Sequence, residues 1–148
     1  MANTVAAIMG VLFILLGLSG FFLNNLLGTH LSLTHNLIHL ISGVASVYFG
    51  VKGSRYAAKL FCLVFGVSYL SLAVVGYWFG YNHMETYLPN SVADHGYNQN
   101  MFHVIPGVFE LGTMDHLVHL LIGAVYIIGG ALTRTARNAA EYFEGNPE

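Results

Sequence analysis

Charge is what this chain has least of: Asp, Glu, Lys and Arg make up 8% of its 148 residues, against about 25% in a soluble domain. A soluble fold of this size would lack the charge to cover its surface, so the chain reads as an integral membrane protein. Cysteine occurs once, as Cys62 inside an apolar run, which rules out an internal disulfide and leaves redox compartment unread. Lys and Arg are missing ahead of the first apolar run, and that run is too long for a signal h-region. No signal peptide is therefore expected, and the first helix should stay in the protein. A net charge of -2 argues against nucleic acid as a partner. No acidic or basic residue lies deep within an apolar run, and no proline interrupts one near its middle, which counts against an ion-coupled transporter. Missing too are a glycine-rich phosphate loop, a Gly-x-Ser-x-Gly elbow and a His-Glu-x-x-His pair. An enzyme is the weaker reading.

What is present is hydrophobic: 55% of the residues, with a mean hydropathy of +0.63. Four apolar runs, at residues 5–27, 35–51, 60–80 and 116–132, are read as spans of a hydrocarbon core roughly 30 Å thick. Thr34 and Asp115 are the expected caps of the second and fourth, the Asp115 charge also meeting the positive end of the helix dipole. Tyr77, Trp78, Phe79 and Tyr81 read as an interfacial belt. Residues 81–115 form the one long loop, and its middle, 101–111, is apolar enough to lie on the membrane or fold back over the helices. The Lys and Arg residues, Lys52, Arg55, Lys59, Arg134 and Arg137, all fall between the second and third runs or just after the fourth. The positive-inside rule then places both termini in the cytoplasm and the loop 81–115 outside. The expected fold class is all-α: an up-down four-helix membrane bundle of two pseudo-repeated hairpins in a single domain.

The repeat shows best in two stretches, His35 to Gly43 and Asp115 to Gly123. Each opens on polar residues, passes through His39 or His119, and runs through Gly43 or Gly123 to Gly50 or Gly130, seven positions on. Gly10 and Gly17 in the first run, and Gly66, Ala73 and Gly80 in the third, keep the same spacing. A seven-residue repeat of small side chains holds one stripe against a neighbour in a left-handed bundle, and in lipid such stripes let backbones approach closely. On these stripes His39 and His119 stand about 60° round the helix from Asn36 and His116, and Ser42 and Ser46 extend the same arc. The histidines should thus face the bundle interior or a partner, near the outer surface.

Two readings of the histidines follow. Neutral imidazole ligates haem iron, chlorophyll magnesium, zinc or copper, and one His from each of two facing helices makes a workable axial pair. His39 with His119 is the symmetric metal or cofactor pair, His35 and His116 are further cofactor-binding candidates, and His30 and His103 could add contacts. The plainer reading has these side chains capping helix starts and hydrogen-bonding across the bundle. Glu110 and Asp115 could relay protons with His116, although capping and solvation explain them at lower cost.

Asn36-Leu37-Ile38-His39-Leu40 with Gly43, and Asp115-His116-Leu117-Val118-His119-Leu120 with Gly123, resemble a family of small bacterial four-helix membrane proteins known only as a domain of unknown function. Members are similar in opening the second and fourth helices on polar-x-x-His, which marks His39 and His119 as the family-type positions here. His116 stands where the first copy has Asn36, so the two halves differ. The resemblance implies a bacterial inner or thylakoid membrane and supplies no activity. Taken together, the chain is expected to be an accessory subunit of a larger respiratory or photosynthetic membrane complex, surrounded by lipid and other subunits, with haem or chlorophyll as the candidate cofactors of its histidines should these bind one. The alternative is a self-standing redox protein with bis-His haem b or a quinol site, and a small transporter ranks third.

Overall fold

Glycine decides how closely the helices meet. The computed structural model describes residues 1–23, 26, 28–81 and 100–135. It contains α1 (Ala2–Ser19), α2 (Leu33–Val51), α3 (Arg55–Phe79), strands β1 (Phe102–Ile105) and β2 (Phe109–Leu111), and α4 (Thr113–Ala131). A methyl group on Gly10 would lie 2.6 Å from the Val47 nitrogen, and one on Gly43 would lie 2.8 Å from the Gly10 carbonyl oxygen. Higher on α1, Gly17 meets Asn36 and Leu40; lower, Ala7 meets Gly50. The pair α3–α4 repeats this arrangement. Gly66 and Gly123 face one another, a methyl on either lying 2.9 Å from the other's carbonyl oxygen, and Gly130 meets Lys59 and Leu63. Backbone contact of this kind is what small-residue stripes permit in lipid.

Between the two pairs runs a shared interior of aromatic rings and short polar links. Phe13 stacks near Tyr69 and Tyr126, with centroids 5.2 and 6.4 Å apart, and Phe49 stacks on Phe61 at 4.7 Å. Ser46 donates to the Ala6 carbonyl at 2.7 Å and sits 2.6 Å from the Tyr126 hydroxyl, while Tyr69 donates to Ser42 at 3.3 Å. At the far end the Ala2 nitrogen donates to Thr133 at 2.7 Å. Large aliphatic side chains point the other way: Ile8, Leu12, Leu15, Ile41, Val44, Val67, Leu121 and Ile128 are exposed. Such a distribution suits lipid and not water.

Three helices, α1, α3 and α4, are long and apolar enough to cross a membrane. α2 has the length, 19 residues, but His35, Asn36, His39, Ser42 and Ser46 lower its hydropathy. Boundaries differ from the sequence reading in ways that have local causes. α1 ends at Ser19, well short of residue 27, where Ser19 turns its hydroxyl back to the Leu16 carbonyl at 2.8 Å and Gly20 follows as the cap. A hydroxyl bonded to its own helix and a glycine both weaken helix continuation. Ser32, not Thr34, caps α2, accepting from the His35 N–H at 3.2 Å. Ser54 caps α3, so Arg55 and Lys59 lie within its first turns. α4 starts at Thr113 with Gly112 as its cap, and Asp115 serves from the third position, accepting the Gly112 N–H at 2.8 Å.

The all-α expectation also needs amending. Residues 101–111 do fold back over the helices, but as an antiparallel hairpin in the register Phe102↔Leu111 and His103↔Glu110, with Ile105↔Phe109 after a bulge. Apolar and β-branched residues favour strand, and Pro106-Gly107 makes the turn, Gly107 taking a positive φ of 74°. Ser32 ties the hairpin to the start of α2 by donating to the Val108 carbonyl at 3.0 Å. Gly80 belongs to this loop junction: it caps α3 against Asn100 and does not lie on the α3–α4 seam. The middle of the long loop, 82–99, and the tail from 136 fall outside the described residues, as do Asn24, Asn25 and Leu27.

Candidate functional site: a buried histidine cluster

His39 follows His35 by four positions, a little over one helical turn, so both side chains leave α2 on the same face. His119 comes from α4 to meet them. The three side chains are buried, and each offers a ring nitrogen within 4.8 Å of the others. The His35 and His39 rings lie 4.3 Å apart by centroid and the His35 and His119 rings 5.8 Å. Apolar walls surround them: Phe13 packs on His39 at 5.4 Å, Phe109 of the hairpin on His35 at 5.4 Å, and Tyr69 edge-on to His119 at 5.2 Å.

One ring has its protonation pattern set by a neighbour. His35 Nδ1 is 2.6 Å from the His30 carbonyl oxygen, which can only accept, so Nδ1 carries the proton. The lone pair of neutral His35 then sits on Nε2, which is buried without a hydrogen-bond partner. His39 Nδ1 and His119 Nδ1 are likewise buried and unpartnered. Leaving a buried polar atom unsatisfied costs about 1–3 kcal/mol. Three such atoms on three clustered rings share a chemistry: each can accept a proton or a metal ion.

Behind His35 stands Asp115, also fully buried. Its carboxylate accepts from the Gly112 N–H at 2.8 Å and the His30 N–H at 3.1 Å, and lies 3.4 Å from His30 Nδ1 and 3.9 Å from His35 Nδ1. A backbone carbonyl or carboxylate behind a histidine is a recurrent outer shell of metal sites, and here the His30 carbonyl holds the His35 ring while Asp115 lies just beyond it.

Of the four histidines singled out in the sequence, three converge and His116 does not. The His116 Nε2–H donates to the Asn100 carbonyl at 2.9 Å, and its ring fills the space beside Gly76. Asn36 fills the matching space beside Gly20. His30 lies beside Asp115, and His103 pairs with the buried Glu110 at 3.2 Å within the hairpin. Sequence reasoning missed Gly20 and Gly76, because counting by sevens from Gly10 and Gly66 steps over them. It also missed the walls Phe13, Tyr69 and Phe109. Phe13 and Tyr69 stand three residues beyond Gly10 and Gly66, and that shared offset was a signal that could have found the first two.

Outside the cluster, a groove of about 370 Å³ opens on the flank of α3 and α4, between Ala73, Val74, Tyr77 and Trp78 on one side and Thr113, His116, Leu117 and Leu120 on the other.

No curated protein and no solved structure matches the chain. A family model does: the one described as Domain of unknown function (DUF4383) matches residues 3–103. That match takes in α1, α2, α3 and the start of the hairpin, with His35 and His39 inside it and Asp115 and His119 beyond it. Covering more than half of the sequence, it identifies this chain as a member of the DUF4383 family.

Proposed function

We propose that this protein is an up-down four-helix membrane bundle of two similar hairpins that holds a transition-metal ion at its outer end, through His35, His39 and His119. In this reading it serves as an accessory subunit of a larger bacterial membrane complex. The observation that carries the proposal is the convergence of three buried imidazoles, each with an unpartnered ring nitrogen. Imidazole suits Zn, Cu, Fe and Ni. Ligand nitrogens about 2.0–2.1 Å from a tetrahedral zinc stand closer together than the 4.8 Å limit seen here, so small ring rotations would complete the site.

A bare ion fits better than a haem or chlorophyll. A macrocycle held between His39 and His119 needs an open slot, whereas the His35 ring packs against both, with centroids 4.3 and 5.8 Å away, and Phe13, Tyr69 and Phe109 close the sides. Sidedness rests on charge. Lys52, Arg55 and Arg134 sit at the helix ends opposite the cluster, which the positive-inside rule assigns to the cytoplasm. The exposed aliphatic faces serve lipid and partner helices alike.

The test is metal analysis, with an absorption spectrum, of the protein purified in mild detergent. We expect close to one first-row metal ion per chain, no Soret or chlorophyll band, and loss of the ion in both His39→Ala and His119→Ala. A macrocycle band that disappears in His39→Ala would replace the ion with a haem or pigment. Wild-type protein that takes up neither ion nor pigment would return the histidines to a purely structural role.

A further inference from the structure

Three neutral imidazoles bring no negative charge to an ion, and a metal in an apolar interior needs some. Asp115 is placed to supply it. It is fully buried, its recorded partners are backbone N–H groups and histidines, and Lys52, Arg55, Lys59 and Arg134 lie towards the other end of the helices. The other described buried carboxylate, Glu110, is engaged within the hairpin by the Gly107 N–H at 2.7 Å and by His103. Asp115 therefore carries a buried charge with no Lys or Arg beside it among the described residues. His35 stands between Asp115 and the cluster: its Nδ1 faces the His30 carbonyl and Asp115, and its unpartnered Nε2 is the atom left for an ion.

We infer that Asp115 is the counter-charge of the three-histidine site, a positioning residue that strengthens binding of a divalent ion more than of a monovalent one. The inference rests on the metal reading above. Its physical basis is Coulomb's law: at a fixed distance the carboxylate attracts a doubly charged ion twice as strongly as a singly charged one. Asp115→Asn keeps one oxygen to accept the Gly112 and His30 N–H groups while removing the charge. Losing an outer-shell partner typically weakens metal binding about 10–100-fold. If charge is the cause, the loss for a monovalent ion should be about half as large on a logarithmic scale.

The experiment titrates the full-length protein in detergent with Zn2+ and, separately, with Cu+, each against a coloured competing chelator. Wild type, Asp115→Asn, Asp115→Glu and His39→Ala are compared, with helix content and elution volume recorded for each. We expect Asp115→Asn to lose at least about tenfold in Zn2+ affinity and distinctly less in Cu+ affinity, and Asp115→Glu to recover most of the Zn2+ binding. Equal logarithmic losses for the two ions in Asp115→Asn, or no loss, overturn the inference while leaving the metal site intact, provided His39→Ala abolishes binding. Should Asp115→Asn fail to fold, Asp115→Glu decides: a lengthened arm that keeps the Zn2+ over Cu+ ratio supports the counter-charge, and a ratio that collapses overturns it. If wild type binds neither ion, or His39→Ala binds as wild type does, the metal reading itself falls and this inference with it.

Discussion

Consider Gly43→Ala, a change of one methyl group in the α1–α2 seam. The added carbon would lie 2.7 Å from Ile14 Cγ1, 2.8 Å from the Gly10 carbonyl oxygen and 2.9 Å from the Ile14 nitrogen. Two of those atoms are backbone and cannot rotate aside, so α1 and α2 must move apart. Overpacking of this kind costs about 1–3 kcal/mol. Against it, alanine favours a helix over glycine by about 1 kcal/mol, leaving a net destabilisation of up to about 2 kcal/mol. Gly10→Ala meets the same seam from the other side, with Val47 nitrogen at 2.6 Å and Gly43 oxygen at 2.8 Å, and should cost a similar amount. Once one methyl has separated the helices the second finds room already made, so the double variant should fall short of the sum by at least about 0.5 kcal/mol. Reversible unfolding in mixed micelles, followed by circular dichroism, measures all three, and Gly123→Ala with Gly66→Ala repeats the cycle in α3–α4. A stabilising Gly43→Ala, or strict additivity with Gly10→Ala, would refute close backbone contact at this seam.

Two further outcomes follow from individual contacts. Tyr126→Phe leaves Ser46 its bond to the Ala6 carbonyl but removes the 2.6 Å link across the interior, and should cost about 1 kcal/mol in the same unfolding assay; Ser46→Ala should cost more, since it removes both. On the proposed three-histidine metal site, His116→Ala should leave metal content near wild type while losing the link to Asn100 and lowering stability in the same unfolding assay; loss of the ion would mean that His116 belongs to the site.

What could be read in the sequence was whatever repeats within a helix. His39 and His119 were legible because they sit at equal offsets from Gly43 and Gly123, and the glycines because their seven-residue spacing has a single packing consequence. His35 was among the further candidates, and its four-residue spacing to His39 puts both on one face. The partners that come from elsewhere in the chain were not legible. Asp115 looked like a cap, and it is one in part, but its approach to His30 and His35 depends on how α4 docks against the start of α2. His116 was grouped with the candidate ligands because it lines up by sevens with Gly123 and Gly130; Asn100, brought near by the hairpin, takes its ring nitrogen instead. The hairpin itself was foreseen only as an apolar stretch, because so short a run of strand residues carries little periodic signal.

Ser46 and Tyr126 stand at the same place in their respective hairpins, seven residues beyond His39 and His119, and they touch each other at 2.6 Å. His35 and Asp115 are matched in the same way, 3.9 Å apart. Were the two hairpins identical chains paired about an axis, each such place would bring a residue against its own copy: serine on serine, aspartate on aspartate. Joining the halves in one polypeptide lifts that restriction. Each half can then keep its glycines, which both need for the same reason, while the residues that meet between the halves are free to become unlike partners, hydroxyl with phenol and imidazole with carboxylate.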